Sequence, residues 1–128
     1  MLDSFALLAF LNKEAGFEKV KSLLRVSVST GQPLLMNEIN IGEVYYITAK
    51  DRSLEQADEF LRRLETLPIQ PIANSFADVL EAARVKARFP ISYADAFAVA
   101  TAIRMNAVVV TGDSEFRQAE HVVAIDWL

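Results

Sequence analysis

Cysteine is absent from the 128 residues, which excludes disulfides and thiolate metal sites and fits a reducing cytosol. No apolar run approaches the roughly 20 residues needed to span a bilayer. The opening MLDSFALLAFLNKEAG has an apolar stretch but neither a basic leader nor a small-residue cleavage site. We therefore expect a mature, cytoplasmic protein with no membrane partner. Internal repeats, low-complexity tracts and linkers are also missing. The length suffices for one hydrophobic core and not for two, so residues 1–128 are expected to form a single domain. A basic excess is lacking as well, with 13 Lys and Arg against 17 Asp and Glu and a formal charge of −4. No basic stripe marks a nucleic-acid path; Lys13, Lys50, Arg52, Arg104 and Arg117 are scattered candidates for phosphate contact.

What is present alternates between two kinds of segment. LLAFLNKEAGFEKVKSLLRV has helical spacing interrupted at Gly16, and a Gly31–Pro33 turn signal then leads into the short apolar run QPLLMN. EINIGEVYYITAKD and SLEQADEFLRRLETL read as helices. PIQPIA reads as a strand kept short or marginal by Pro68 and Pro71. NSFADVLEAARVKARF is a helix ended before Pro90, and SYADAFAVATAIRMN is another. AVVVTG and HVVAIDW are continuous apolar runs suited to strands buried on both faces, the latter opening at His121. The pattern is α/β: a mostly parallel sheet with helices on both sides.

In such a sheet the chemistry lies beyond the carboxyl ends of the strands. Asp3 and Asp113 stand where a strand hands over to a helix, with Gly112 giving the chain freedom to turn before Asp113. Glu43 has Ile39 and Ile47 four residues to either side, which places it on an inward face. Asp95 is followed at helical spacing by Ala98, Val99 and Ala102, so a carboxylate shares a stripe with packing residues. No Lys or Arg lies three or four residues from Glu43 or Asp95 to compensate either charge locally. Asp58 with Arg62, and Glu59 with Glu55 and Arg63, have instead the spacing of a solvated face. Structural duties compete with chemical ones. Asp3 or Ser4 can cap the first helix, Ser92 and Asp95 nearly match a capping box, and Asp113 can cap SEFRQAE. Taken together, the strand-end Asp3 and Asp113 and the locally uncompensated Glu43 and Asp95 suit a hard divalent cation, Mg²⁺ or Mn²⁺, held by one or two carboxylates and water.

LDSFALLAFL, EINIGEVYY and ISYADAFAVATAIRMNAVVVTGDSEF, in this order, resemble the PIN-domain ribonucleases, specifically the VapC-type toxins of toxin-antitoxin pairs. The resemblance covers essentially the whole chain. It implies a three-layer α/β/α sandwich with about five mostly parallel strands. It implies a metal-dependent endoribonuclease acting on RNA, a cognate antitoxin, a frequent homodimer, and Asp3, Glu43, Asp95 and Asp113 as catalytic and metal-binding residues. Within that scheme Asp3 and Asp95 are the first choices for direct ligands, with Glu43 and Asp113 acting through water or orienting the nucleophile. Ser4, Ser92 and Thr111 are supporting candidates. Only Met1 and Leu2 precede Asp3, so the first strand is expected short, or a few residues are missing from this start.

Other acid-cluster folds fit less well. A phosphorelay receiver needs paired acids after its first strand and a late strand-end Lys, and a haloacid-dehalogenase-like phosphatase needs D-x-D where this chain has Asp3, Ser4 and Phe5. A PIN-fold binding module that keeps its acids without cutting is the remaining rival. Glu115 is expected to be solvated, and His121 to be ordinary packing or surface. Phe5, Phe10, Tyr45, Tyr46, Phe97 and Trp127 are expected in the core or a subunit interface rather than as base-stacking platforms.

Overall fold

The computed structural model describes residues 1–128. Its helices begin where the sequence offers caps. Asp3 accepts the Ala6 N–H and starts α1 (Ser4–Asn12), so the aspartate and not Ser4 is the cap. Gly16 and Gly31 flank α2 (Phe17–Thr30) with φ of 96° and 70°, left-handed values that an L side chain resists. Asn37 closes β1 (Leu34–Asn37) and caps α3 (Glu38–Asp51). Ser53 caps α4 (Leu54–Leu64), whose buried Ala57, Phe60 and Leu64 form one stripe and whose Arg62 and Arg63 suit the negative end of its dipole. After β2 (Ile69–Ile72), Ser75 and Asp78 form a full capping box at α5 (Phe76–Arg88). Ser92 caps α6 (Tyr93–Met105), and β3 (Val109–Thr111), a 3₁₀ turn (Ser114–Ala119) and β4 (Ile125–Trp127) complete the chain.

β1 pairs in parallel with β2, Leu34 opposite Ile69, and β3 pairs in parallel with β4, Val109 opposite Ile125. The extended segment Met1–Asp3 joins the two pairs. On one side the Leu2 N–H donates to the Leu35 carbonyl at 2.8 Å. On the other, the Met1 nitrogen donates to Val108 O at 2.6 Å, Val110 N–H to Met1 O at 2.8 Å and Asp3 N–H to Val110 O at 3.4 Å. The order is thus β2, β1, the first segment, β3, β4, and the first strand is as short as the sequence suggests. Pro71 is tolerated because β2 is an edge strand with one neighbour.

Winding outward on one side and then on the other sends the connecting helices to opposite faces. Side chains alternate accordingly. Leu2, Met36 and Val110 point into a core of 12 residues with Leu7, Val20, Val44, Phe60 and others from α1 to α4. Met1 and Val109 point into a second core of 11 residues with Ile91, Val99, Ala102 and Phe116 from the α6 side. This is the three-layer α/β/α sandwich. Each fully buried Leu or Phe contributes about 1.5–3 kcal/mol, so the sheet is clamped from both faces. No helix is long and apolar enough to cross a membrane.

Several expectations need correction. His121 does not open the last strand: it lies in a turn, its ring edge-on to Phe89 at 5.3 Å, and β4 starts at Ile125. Tyr46 is 56 % exposed and Phe5 42 %, so neither is a core residue. On the α4 surface Glu59 pairs with Arg62, three residues on, and Asp58 instead accepts the Tyr45 hydroxyl at 2.9 Å.

Candidate active site

The strand order reverses direction between the first segment and β3, and in open α/β sheets the crevice at such a reversal receives ligands. Asp3 ends the segment and Asp113 follows β3, so both flank this crevice. α6 brings Asp95 to it from one layer and α3 brings Glu43 from the other. A cleft of about 240 Å³ results, lined by Asp3, Glu43, Asp95, Asp113 and Glu115 together with Ser4, Phe5, Leu8, Ile47 and Ser92. None of these ten residues is Lys, Arg or His.

Each acid arrives by local chemistry. Asp3, 1 % exposed, has both oxygens engaged: Oδ1 accepts the Ala6 N–H at 2.8 Å and Oδ2 accepts the Thr111 hydroxyl at 2.5 Å. Thr111, fully buried, also accepts the Asp113 N–H at 2.9 Å, so one hydroxyl positions two of the acids. Asp113 caps the 3₁₀ turn by accepting the Glu115 N–H at 2.9 Å. Asp95 is 7 % exposed, and its N–H donates to Ser92 Oγ at 3.1 Å. Capping and convergence therefore coexist: the residues that start the helices are also the ones that face the cleft.

Burial pushes the Asp3 carboxyl up to about 7; the Thr111 and Ala6 bonds oppose this, and the charges of Asp95 and Asp113 add to it. Burial likewise raises Asp95 to about 6, against its Ser92 bond, with Asp113, Glu43 and Glu115 contributing repulsion. Two carboxyls held against their preference for charge, beside three more acids and no cation, form a site short of positive charge. No three of the carboxylates stand close enough to enclose an ion on their own. A hard, hydrated cation suits this donor set, because Mg²⁺ keeps several waters and takes only one or two carboxylates directly.

Other sequence candidates fall elsewhere or change role. Glu43 is half-buried and Ile39 beside it is 41 % exposed; the inward face of α3 carries Asn40, Ile41 and Val44 instead. The glutamate thus reaches the cleft from the helix flank. Ser4 lines the cleft while donating to Asn40 O at 3.2 Å, and Thr111 lies beneath it. Glu115, expected in solvent, is exposed and also on the cleft wall. Arg104 pairs with Asp78 in a separate cleft of about 250 Å³ between α5 and α6, whose Glu81 is paired with Arg84. Arg117 lies over the Trp127 ring, and Arg52 donates to Asn12 Oδ1 at 2.9 Å.

Buried amides also tie the layers together, at positions that no charge pattern in the sequence marks. Asn37 Nδ2 donates to Thr101 Oγ1 at 2.8 Å and to Asn74 Oδ1 at 2.7 Å, while Asn37 Oδ1 accepts the Ile39 N–H at 2.9 Å. Asn40 Nδ2 reaches Ala94 O at 3.0 Å, one residue before Asp95. The signal was present in MNEIN, where an Asn at a strand-to-helix junction reads as a cap.

Comparison with known proteins agrees with this architecture. A family model described as PIN domain matches residues 1–122. No curated protein matches the chain by sequence. Among solved structures, VapBC2 from Rickettsia felis bound to a DNA fragment from its promoter superposes with a TM-score of 0.75, at 16 % identity, covering 99 % of this chain and 96 % of that one. DNA-bound VapBC from Salmonella typhimurium gives 0.74 at 16 % identity, with the same coverage of each chain.

Proposed function

Because the chain belongs to the PIN-domain family, we propose that residues 1–128 act as one domain and as a divalent-metal-dependent endoribonuclease, the RNA-cleaving toxin of a toxin-antitoxin pair. The observation that carries this reading is the cleft at the sheet's reversal point, with five carboxylates and no cation. Mg²⁺ or Mn²⁺ bound there supplies charge for the scissile phosphate and lowers the pKa of a water for in-line attack. Asp3 and Asp95, the two most buried acids, are the direct ligands in this reading. Glu43 and Asp113, more open to solvent, hold waters and orient the nucleophile. Thr111 keeps Asp3 turned to the cleft, and Ser92 fixes the first turn that presents Asp95.

The same reading assigns a cognate antitoxin, a homodimer and a cytoplasmic location. An antitoxin Arg or Lys entering the cleft replaces the metal's charge against the carboxylates. That the two structural neighbours are VapBC assemblies supports the partner. A non-cleaving module would bind RNA or protein but show no metal-dependent turnover.

The test is incubation of cellular RNA with purified protein and Mg²⁺ or Mn²⁺, followed by end mapping. Discrete new ends that vanish in EDTA and return with metal are expected, with Asp95→Asn reducing the rate at least tenfold. Undiminished cutting in EDTA, or none with either metal, refutes the proposal.

A further inference from the structure

Among the first seven residues only Phe5 is exposed; Met1 to Ser4 and Ala6 and Leu7 are all buried. Its ring is braced on the strand end that holds the acids. A Cβ placed on Gly112 would meet Phe5 Cε1 at 2.4 Å and Cδ1 and Cζ at 3.0 Å, so only glycine lets the ring lie there. The backbone does not ask for glycine: positive φ occurs at Gly16 and Gly31 and not at Gly112. The turning freedom expected of this residue is thus the wrong explanation, and room for the ring is the right one. Gly112 lies between Thr111, which holds Asp3, and Asp113, so the aromatic face is fixed relative to two acids.

With Leu8 and Ile47, Phe5 forms the apolar wall of a cleft otherwise lined by carboxylates and serine hydroxyls. Such a cleft repels the phosphates of a polynucleotide and offers it no Lys or Arg. Its apolar wall suits a part of the substrate that carries no charge, and every nucleobase has a neutral π-face. We propose that Phe5 is a base-stacking platform, a subsite for the nucleobase adjoining the scissile phosphate of the RNA. This rests on the ribonuclease reading and adds a substrate-binding residue to it.

The experiment uses the Mg²⁺-loaded enzyme and an oligoribonucleotide spanning a mapped cleavage site. Phe5→Leu keeps an apolar group over Gly112 and removes the π-face; Phe5→Met fills the same space with an unbranched chain and serves if the leucine variant folds poorly. KM should rise about tenfold in either, with kcat within twofold of wild type, while Phe5→Tyr stays near wild type in both. A 2-aminopurine placed beside the scissile phosphate should lose fluorescence on binding Ca²⁺-loaded wild type and Phe5→Tyr, and lose less than half as much with Phe5→Leu. A wild type that cleaves, beside a leucine variant with unchanged KM and full quenching, overturns this proposal alone; that is also the outcome if the ring serves only an antitoxin. A wild type that neither cleaves nor binds RNA overturns the ribonuclease reading and this proposal with it.

Discussion

Replacing Asp3 by Asn should stabilise the metal-free protein at alkaline pH, and the structure sets the scale. The carboxyl is raised from 3.8 to about 7, a little over three units, worth roughly 4 kcal/mol at 1.36 kcal/mol per unit. The folded state holds this proton more tightly than the unfolded chain does. The stabilisation is therefore complete below about pH 4, falls as pH rises, and is gone above about pH 7. At pH 8 in EDTA the wild type must keep a buried charge beside Asp95 and Asp113. Asn removes the charge, and its carbonyl still accepts the Ala6 N–H that caps α1. Its amide must meet the Thr111 hydroxyl that donated to the carboxylate, a mismatch of about 1 kcal/mol. The expected balance is a gain of about 2–3 kcal/mol at pH 8 and a loss of about 1 kcal/mol near pH 4. Urea denaturation in EDTA at pH 4, 6 and 8 measures both. Asp95, raised to about 6, gives the same sign over a lower window, so the variant should keep a decline between pH 4 and 6 and little beyond it. Adding Mg²⁺ at pH 8 should stabilise the wild type and leave the variant nearly unchanged. A wild type equally stable at pH 6 and 8 in EDTA, or a variant that declines as steeply between them, would refute the account of Asp3.

Thr111→Val keeps shape but strips the hydroxyl that donates to Asp3 and accepts from Asp113; it should cost about 1–3 kcal/mol and move the alkaline loss of stability to higher pH, read from the same denaturation series. Gly42 sits inside α3 with open space where a Cβ would be and without positive φ, so Gly42→Ala should raise stability by about 0.5–1 kcal/mol in a thermal or urea melt.

Asp3 and Asp95 were legible because their neighbours are apolar and lack cations, a pattern that survives in one dimension. The layers were legible in another way: continuous apolar runs alternating with helices mark strands buried on both faces, and Met1 and Val109 do enter one core while Leu2 and Val110 enter the other. Glu43 lines the cleft, but not for the reason its spacing suggests. Spacing located a stripe with Ile39 and Ile47, but which stripe of α3 turns inward depends on how α4 and α6 pack against it, and Ile39 proves exposed. Gly112 shows another limit. Nothing in VTGDS distinguishes a glycine needed for φ from one needed for space, since the ring that fills the space comes from Phe5, more than a hundred residues earlier. Asn37 and Asn40 carry no such signal because neutral amides leave no charge imbalance to detect, although they fasten the start of α3 to α6.

The bond from Thr111 to Asp3 spans 108 residues of chain, and that from the Met1 nitrogen to Val108 spans 107. On a ribosome this separation is also a delay. At roughly 5–20 residues per second, some 5–20 seconds pass between synthesis of Asp3 and of the hydroxyl that positions it. Until then neither the central segment nor the acid cleft has its far wall, and closing so long a loop is entropically late in folding as well. A nascent chain therefore carries Asp3 and Glu43 through most of its elongation, and Asp95 through a later stretch, without assembling the cleft, which is complete only once β3 has emerged.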